Sequence, residues 1–212
     1  MIELIALISM VVDHIGIIFF PEMIIFQILG RLSFPAYAYF IALGFNRSTN
    51  ISYYFFRVLF LGIVSQVIYY NLLSQVKLNI CFTLAFGIFF LIIVQNTKIT
   101  IFYKVALCII IMIIVLLSGC EYGVYGVTTI YFFYRYINSH KYLSLIFGLF
   151  FINFLSVFIF SIPKIQVFSL CILPLIFFVP VRMQKMKLPI YMNYIFYPVH
   201  LLLLYLIDLI LF

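Results

Sequence analysis

Two histidines and one aspartate lie inside apolar stretches, and they are the residues best suited to chemistry. Asp13 and His14 are adjacent in the first apolar stretch, and His200 lies in the last. Because imidazole exchanges protons near neutral pH, His14 is predicted to act as a general base or as an acyl acceptor. Adjacent helical residues point about 100° apart. Asp13 and His14 therefore cannot form a dyad, and Asp13 is predicted to hold Arg31 or a partner histidine.

The composition indicates which elements must position these residues. The chain has 212 residues, of which 68% are hydrophobic and 8% are charged, and its mean hydropathy is +1.32. A soluble domain carries about 25% charged residues. A soluble domain, a disordered chain and a secreted disulfide scaffold are therefore excluded. The composition predicts a single domain over residues 1–212, embedded in membrane lipid.

Continuous apolar runs favour transmembrane helices over the alternating pattern of a β-barrel. The predicted fold class is all-α, a polytopic bundle of about nine transmembrane helices, within a range of about eight to ten. The first stretch is interpreted as a retained helix rather than a signal peptide, because acidic residues interrupt it. The predicted spans are Glu3–Phe20, Ile24–Phe45, Ser52–Leu73, Asn79–Gln95, Ile99–Leu117, Tyr122–Ile137, Tyr142–Phe160, Lys164–Val179 and Leu188–Leu211, of which the sixth and eighth are short enough to be irregular.

The basic residues predict the orientation of these spans. Nine of the 12 Lys and Arg residues flank the loops that follow even-numbered spans. Loops rich in Lys and Arg are cytoplasmic by the positive-inside rule, so the N-terminus is predicted to be cytoplasmic. The high content of Ile, Phe, Tyr and Asn is typical of a protein from an AT-rich bacterial genome, which predicts a bacterial cytoplasmic membrane. Cations scattered over short loops do not predict nucleic-acid binding. The nine are Arg47, Arg57, Lys98, Lys104, Arg135, Lys141, Arg182, Lys185 and Lys187.

Polar side chains gather in the outer half of the predicted membrane domain, many about two helical turns, or about 10 Å, below its surface. Ionisable groups at such depth face the bundle interior and are usually functional. Asp13 and Arg31 are the predicted ion pair, and a buried pair that only fixes helix register is the alternative. The predicted layer contains Asp13, His14, Arg31, Gln66, Asn79, Thr83, Glu121 and His200, with Tyr122, Tyr125 and Tyr197 beside it.

The remaining residue types that could bind a metal show no pattern of ligands. The four cysteines form no C-x-x-C pair, and they are interpreted as small buried hydrophobic residues. His140 lies beside Lys141 in a predicted loop and is interpreted as a solvated residue. The sequence therefore predicts no metal site.

The segments that carry the polar residues resemble the TraX family, named for a conjugation protein that acetylates pilin. The D-H-I-G and G-R-x-x-F-P motifs of the first two spans are the most specific. One departure is Glu121, where the family pattern D-Y-G-x-Y-G has Asp. The matching stretches run from the first span to the last and are Leu7–Phe20, Gly30–Phe45, Asn79–Gly87, Glu121–Gly126 and Tyr194–Leu206.

The resemblance implies a membrane acetyltransferase that takes acetyl-CoA from the cytosol and modifies an amine or hydroxyl across the membrane. The acceptor would be a pilin-like protein or a surface polymer. His14 and Asp13 would be catalytic, and donors such as Arg31 or Tyr125 would stabilise the oxyanion. Whether the acyl group is first carried on histidine stays open. Pocket residues would be Arg31, Asn79, Thr83, Glu121 and His200. The CoA phosphates would meet Arg47, Arg57, Lys98 and Lys104, whose positions the positive-inside rule also explains.

Two other classes of function remain open from the residues alone. A proton-coupled transporter would also place Asp, His and Arg inside the membrane, although no repeated halves are visible. A pilus or conjugation assembly factor without chemistry would tolerate Asp13→Asn and His14→Ala if the fold survived.

Overall fold

The computed structural model describes residues 2–73, 77–158, 163–178 and 190–211, and these form helices and short connections. The one β interaction in the described part is an isolated bridge between Leu78 and Cys120. The elements are α1 (Ile2–Phe19), α2 (Ile24–Gly30), α3 (Ser33–Arg47), α4 (Ile51–Leu73), α5 (Ile80–Gln95), α6 (Ile101–Leu117), α7 (Gly123–Ser139), α8 (Tyr142–Phe158), a 3-10 helix (Lys164–Cys171), α9 (Ile172–Phe178) and α10 (Ile190–Leu211).

These helices confirm the all-α prediction, and their composition is that of a membrane protein. Four helical segments within the described ranges are long and apolar enough to cross a membrane. They are Ile2–Phe19, Ile24–Arg47, Ile51–Leu73 and Tyr194–Leu211. Arg182, Lys185 and Lys187, which supported the predicted orientation, lie outside the described residues.

Two predicted spans are less regular than uniform helices, and proline explains both cases. The second span divides into α2 and α3, because Pro35 has no N–H to donate to the Arg31 carbonyl. The eighth begins as the 3-10 helix after Pro163 and becomes α-helical at Ile172, with Pro174 in the first turn of α9. The irregularity expected for the eighth span is thus present.

The described chain forms two compact units. The terminal unit comprises Met1–Tyr37 and Tyr142–Phe212, and the central unit comprises Ala38–Lys141. Helix α3 begins in the terminal unit and ends in the central unit.

In the terminal unit, α1 and α2 pack as an antiparallel pair through small residues. A side chain at Gly16 would collide with Phe26, so the helices approach closely there. Toward the other end of the pair, Ser9 Oγ donates to the carbonyls of Leu29 at 2.5 Å and Gly30 at 3.2 Å. In lipid the hydrophobic effect does not drive helices together. Helices there usually associate through small residues, which allow close approach, and through interhelical hydrogen bonds.

In the central unit, α5 is the buried helix, and α4, α6 and α7 pack against it. Gly87 of α5 faces the tip of Ile130 on α7, and this contact leaves no room for a larger side chain without movement of Ile130. The four cysteines are free: Cys81 and Cys120 are buried as predicted, whereas Cys108 is half-buried and Cys171 is exposed. The outward face of α6 carries exposed isoleucines and leucines, as expected of a lipid-facing helix.

Candidate functional site

The residues of the predicted polar layer fall into two clusters, one in each unit. The terminal cluster consists of Asp13, His14, Arg31, Gln166 and His200. The central cluster consists of Gln66, Asn79, Thr83, Cys120 and Glu121. Hydrogen bonds link residues within each cluster.

The terminal cluster is built around a pair of buried imidazole rings. His14 Nδ1 lies 3.1 Å from His200 Nε2, which is hydrogen-bond distance, and the ring centroids are 5.0 Å apart. Both side chains are buried, with exposed fractions of 7% and 6%. The contact joins residues 186 positions apart in the sequence and connects α1 with α10.

The surroundings of His200 hold its ring in one orientation. His200 Nδ1 lies 2.9 Å from the Phe196 carbonyl oxygen, one turn earlier on α10. The Phe196 ring stacks on the imidazole with centroids 5.3 Å apart, and the Tyr197 ring lies tilted at 5.5 Å. Pro198 lies between these residues and removes one backbone donor from the helix. Tyr197, predicted to neighbour the polar layer, therefore contacts the histidine directly.

Asp13 faces α2, whereas His14 faces α10, as their adjacency in the sequence predicts. A side chain at Gly30 would collide with the Asp13 carboxyl, so this glycine is what admits the aspartate between the helices. Asp13 Oδ1 is buried and accepts no hydrogen bond from the described residues. Arg31 follows Gly30, and its charge acts on the Asp13 carboxyl. Gly30 and Arg31 are thus the neighbours of Asp13 on α2.

Arg31 also reaches a residue that sequence reasoning missed. Its Nη1 donates to Gln166 Oε1 at 3.3 Å, and Gln166 is fully buried in the 3-10 helix. Behind it lies a buried polar group in which Ser169 Oγ donates to Asn153 Oδ1 at 3.1 Å. The signal in the sequence for these residues was a glutamine and an asparagine isolated inside apolar spans. Such buried polar groups need hydrogen-bond partners, so they mark places where helices meet.

In the central cluster, Asn79 uses both ends of its amide to join the start of α5 to the middle of α4. Its Oδ1 accepts from the Cys81 N–H at 3.0 Å, which caps α5. Its Nδ2 donates to the Gly62 carbonyl at 2.8 Å and to Gln66 Oε1 at 3.0 Å. Gln66 Nε2 in turn donates to the Lys77 carbonyl at 3.0 Å. Asn79 and Gln66, both predicted in the polar layer, here join α4 to the start of α5.

Thr83 and Glu121 tie α5 to the turn between α6 and α7. The Thr83 hydroxyl donates to the backbone carbonyl of Glu121, and the Glu121 N–H donates to the Leu78 carbonyl at 2.9 Å. Beside them the Cys120 thiol lies 3.0 Å from the Ser118 hydroxyl, and burial raises the pKa of this thiol, which stays neutral. These hydrogen bonds of Glu121 use its backbone rather than its carboxylate.

The two tyrosines predicted beside the layer follow this turn. Tyr122 precedes α7 in the left-handed region, at φ 60°, an uncommon conformation for a residue with a side chain. Tyr125 is fully buried, and its ring lies tilted against Tyr122 with centroids 6.1 Å apart.

The basic residues predicted to meet CoA phosphates lie in the central unit. Arg47 and Lys98 are exposed, and Lys104 Nζ donates to the Val94 carbonyl at 3.1 Å. The Arg57 guanidinium lies over the rings of Tyr53 and Tyr54, at 5.4 and 5.8 Å from their centroids. A cavity of about 500 Å³ between the start of α4 and the end of α5 is lined by Ile51, Ser52, Ile92, Gln95, Asn96, Thr97 and Lys98.

The described part of the chain contains no group of three or more His, Cys, Asp or Glu side chains placed to hold a metal ion. The paired imidazoles of the terminal cluster, next to a carboxylate and a guanidinium, are suited to proton transfer.

The two motifs that resemble the TraX family both contribute to the terminal cluster. Asp13 and His14 belong to D-H-I-G on α1, and Gly30 and Arg31 belong to G-R-x-x-F-P at the end of α2. The profile of the TraX protein family matches residues 1–208. The chain belongs to the TraX family. No solved structure matches it.

Two curated relatives match parts of the chain. An uncharacterised protein of Rickettsia prowazekii is 26% identical over 105 residues, which cover 49% of this chain and 40% of the relative. The probable fimbrial assembly protein FimC, serogroup H1, of Dichelobacter nodosus is 27% identical over 142 residues, which cover 59% of this chain and 57% of the relative. The chain thus spans about half the length of the curated relatives it matches.

Proposed function

We propose that this TraX-family chain is an acetyltransferase that crosses the bacterial cytoplasmic membrane about nine times, with a cytoplasmic N-terminus. It would take the acetyl group of acetyl-CoA from the cytosolic side and transfer it to an amine or hydroxyl at the outer half of the membrane. The observation that carries the proposal is the buried contact between His14 and His200, 3.1 Å apart, beside Asp13 and Arg31.

In the proposed reaction, His14 acts as the general base. It takes the proton from the acceptor N–H or O–H while the acceptor nitrogen or oxygen attacks the thioester carbonyl carbon. The tetrahedral intermediate then collapses, the C–S bond breaks, and His14 returns the proton to the CoA sulfur. A positioned base contributes about 10²–10⁴-fold to such a step.

Arg31 is proposed to stabilise the negative charge on the carbonyl oxygen of the intermediate. A guanidinium beside developing charge is an effective donor in a site from which water is excluded. Gln166 holds one arm of Arg31, and the charge of Asp13 offsets the cost of keeping a cation there. Asp13 thereby acts through Arg31 rather than on the acceptor.

The basic residues of the central unit are proposed to bind the phosphates of CoA. Lys98 is the first candidate, because it is exposed and borders the cavity at the start of α4. Lys104 and Arg57 already contact a carbonyl and two tyrosine rings, respectively, so their ammonium and guanidinium groups are less available.

The proposed acceptor is a pilin-like protein or a surface polymer. The similarity to a probable fimbrial assembly protein supports an acceptor connected with pili. Comparison of surface proteins and polymers from producing cells with and without this chain, by mass spectrometry, would identify the acceptor by the loss of one acetyl mass.

The direct test measures release of CoA thiol from acetyl-CoA by the purified protein in detergent. Cell-envelope material from a strain that lacks the chain supplies the acceptor. We expect turnover with the wild type and about 10³-fold less with His14→Ala, with the variant still folded as judged by thermal unfolding. Equal turnover by the variant and the wild type would remove His14 from catalysis.

The same assay separates the other functions. No acetyl transfer, combined with proton-linked uptake of solute into liposomes, would favour a transporter. No acetyl transfer, combined with normal pilus assembly in cells that carry His14→Ala, would favour an assembly factor without chemistry.

A further inference from the structure

The hydrogen-bond donors and acceptors around the two imidazoles determine where their protons lie. The Phe196 carbonyl can only accept, so His200 Nδ1, 2.9 Å away, must carry a proton. In a neutral imidazole only one nitrogen is protonated. His200 Nε2 therefore presents a lone pair toward His14.

The lone pair on His200 fixes the proton of the second ring. His14 Nδ1 lies 3.1 Å from His200 Nε2 and must donate to it. With Nδ1 protonated, Nε2 of neutral His14 carries the free lone pair.

We propose that His200 is a positioning residue, which holds His14 with its proton on Nδ1 and its basic nitrogen, Nε2, free to take a proton from the acceptor. The inference rests on the acetyltransferase proposed above. When His14 Nε2 gains the acceptor proton, Nδ1 passes its own proton to His200 Nε2. The positive charge then resides on His200, and His14 remains neutral. On release of CoA both protons return by the same route.

The arrangement parallels the way in which a carboxylate orients the histidine of a catalytic triad. An imidazole performs this role here because it accepts the hydrogen bond without adding a negative charge in an apolar environment. The other ionisable groups near the pair, Asp13 and Arg31, lie on the α2 side of α1.

A spectroscopic test does not depend on activity. The chain has three histidines, His14, His140 and His200, so ring-¹⁵N-labelled protein gives few signals. We expect a scalar coupling across the hydrogen bond, from a protonated His14 Nδ1 to an unprotonated His200 Nε2, and its loss in His200→Phe. Absence of the coupling in the wild type, or the proton on His200 Nε2, would overturn the inference.

A kinetic test distinguishes positioning from packing. His200→Gln keeps an acceptor near the Nε2 position but cannot take a proton, whereas His200→Phe keeps the ring and removes the acceptor. We expect kcat to fall about 10²-fold in His200→Phe and less in His200→Gln, with KM for acetyl-CoA unchanged in both. A packing role predicts the reverse order, and that result would overturn the inference.

The control is His140→Asn, in the exposed turn after α7, where asparagine tolerates the left-handed backbone at φ 53°. It should match the wild type in both tests. If the wild type shows the coupling but transfers no acetyl group, the proposed reaction fails and the pairing stands. If His14→Ala abolishes transfer but both His200 variants retain full kcat, only the role of His200 fails.

Discussion

The two polar clusters use similar residue types in different ways. In the central cluster, amide and hydroxyl groups bond to backbone atoms, as Asn79 does with Cys81 at the start of α5 and with Gly62 in the middle of α4. In the terminal cluster, titratable side chains contact each other, and Asp13 Oδ1 is buried without a hydrogen bond from the described residues. Fully satisfied groups stabilise a fold, whereas uncompensated buried groups cost stability and concentrate at functional sites. We therefore propose a chemical role for the terminal cluster and a helix-positioning role for the central cluster.

The largest expected effect is on activity, at His14. His14→Gln removes the basic nitrogen but keeps a polar group near His200, so kcat should fall about 10³-fold. The free energy of unfolding should change by only about 1 kcal/mol, the net worth of one hydrogen bond. CoA release and denaturant unfolding of the same detergent preparation measure the two quantities. A large loss of stability with unchanged kcat would reverse the assignment of the two clusters.

The next largest effect should be on stability, at Asn79. Asn79→Ala removes the cap of α5 and the side-chain hydrogen bonds to Gly62 and Gln66, which should cost about 1–3 kcal/mol in unfolding. Asn79→Ser retains a capping hydroxyl and should lose about half as much. The folded fraction of each variant should keep wild-type kcat. A kcat defect in folded Asn79→Ser would instead place the central cluster in the reaction.

Replacing one glycine in each unit by alanine compares how tightly the two clusters are packed. Gly30→Ala places a methyl group against the Asp13 carboxyl and should cost about 1–3 kcal/mol together with part of the activity. In Gly62→Ala the methyl group would lie 3.2 Å from Cys81 Cβ. That small clash opposes a gain of about 1 kcal/mol in helix propensity, so a net change below about 1 kcal/mol is expected. Equal unfolding free energies for the two variants would show that Asp13 moves aside without cost.

The sequence predicts the helices well because continuous apolar runs require them in lipid. It also identifies Asp13, His14, Arg31 and His200, since ionisable residues stand out in apolar spans. The depth of a residue along its span does not show which other spans lie beside it. The sequence therefore could not predict that the polar layer divides into two clusters. Gln166 was missed because its importance lies in its contact with Arg31, 135 residues away. The role of the Glu121 backbone was equally inaccessible, because residue identity does not show which atoms bond.

The smallest expected effect is at the residue where the chain departs from its family pattern. Thr83 donates to the Glu121 backbone carbonyl, which every residue type possesses, so Glu121→Gln keeps this hydrogen bond and the size of the side chain, and should change the free energy of unfolding less than Thr83→Val does. Thr83→Val removes the donor itself, at a cost of about 1–3 kcal/mol. Chemical denaturation of both variants beside Thr83→Ser, which retains the hydroxyl, measures the difference. If Glu121→Gln instead lowers kcat as much as His14→Gln does, the carboxylate belongs to the reaction, and the central cluster cannot be assigned to helix positioning alone.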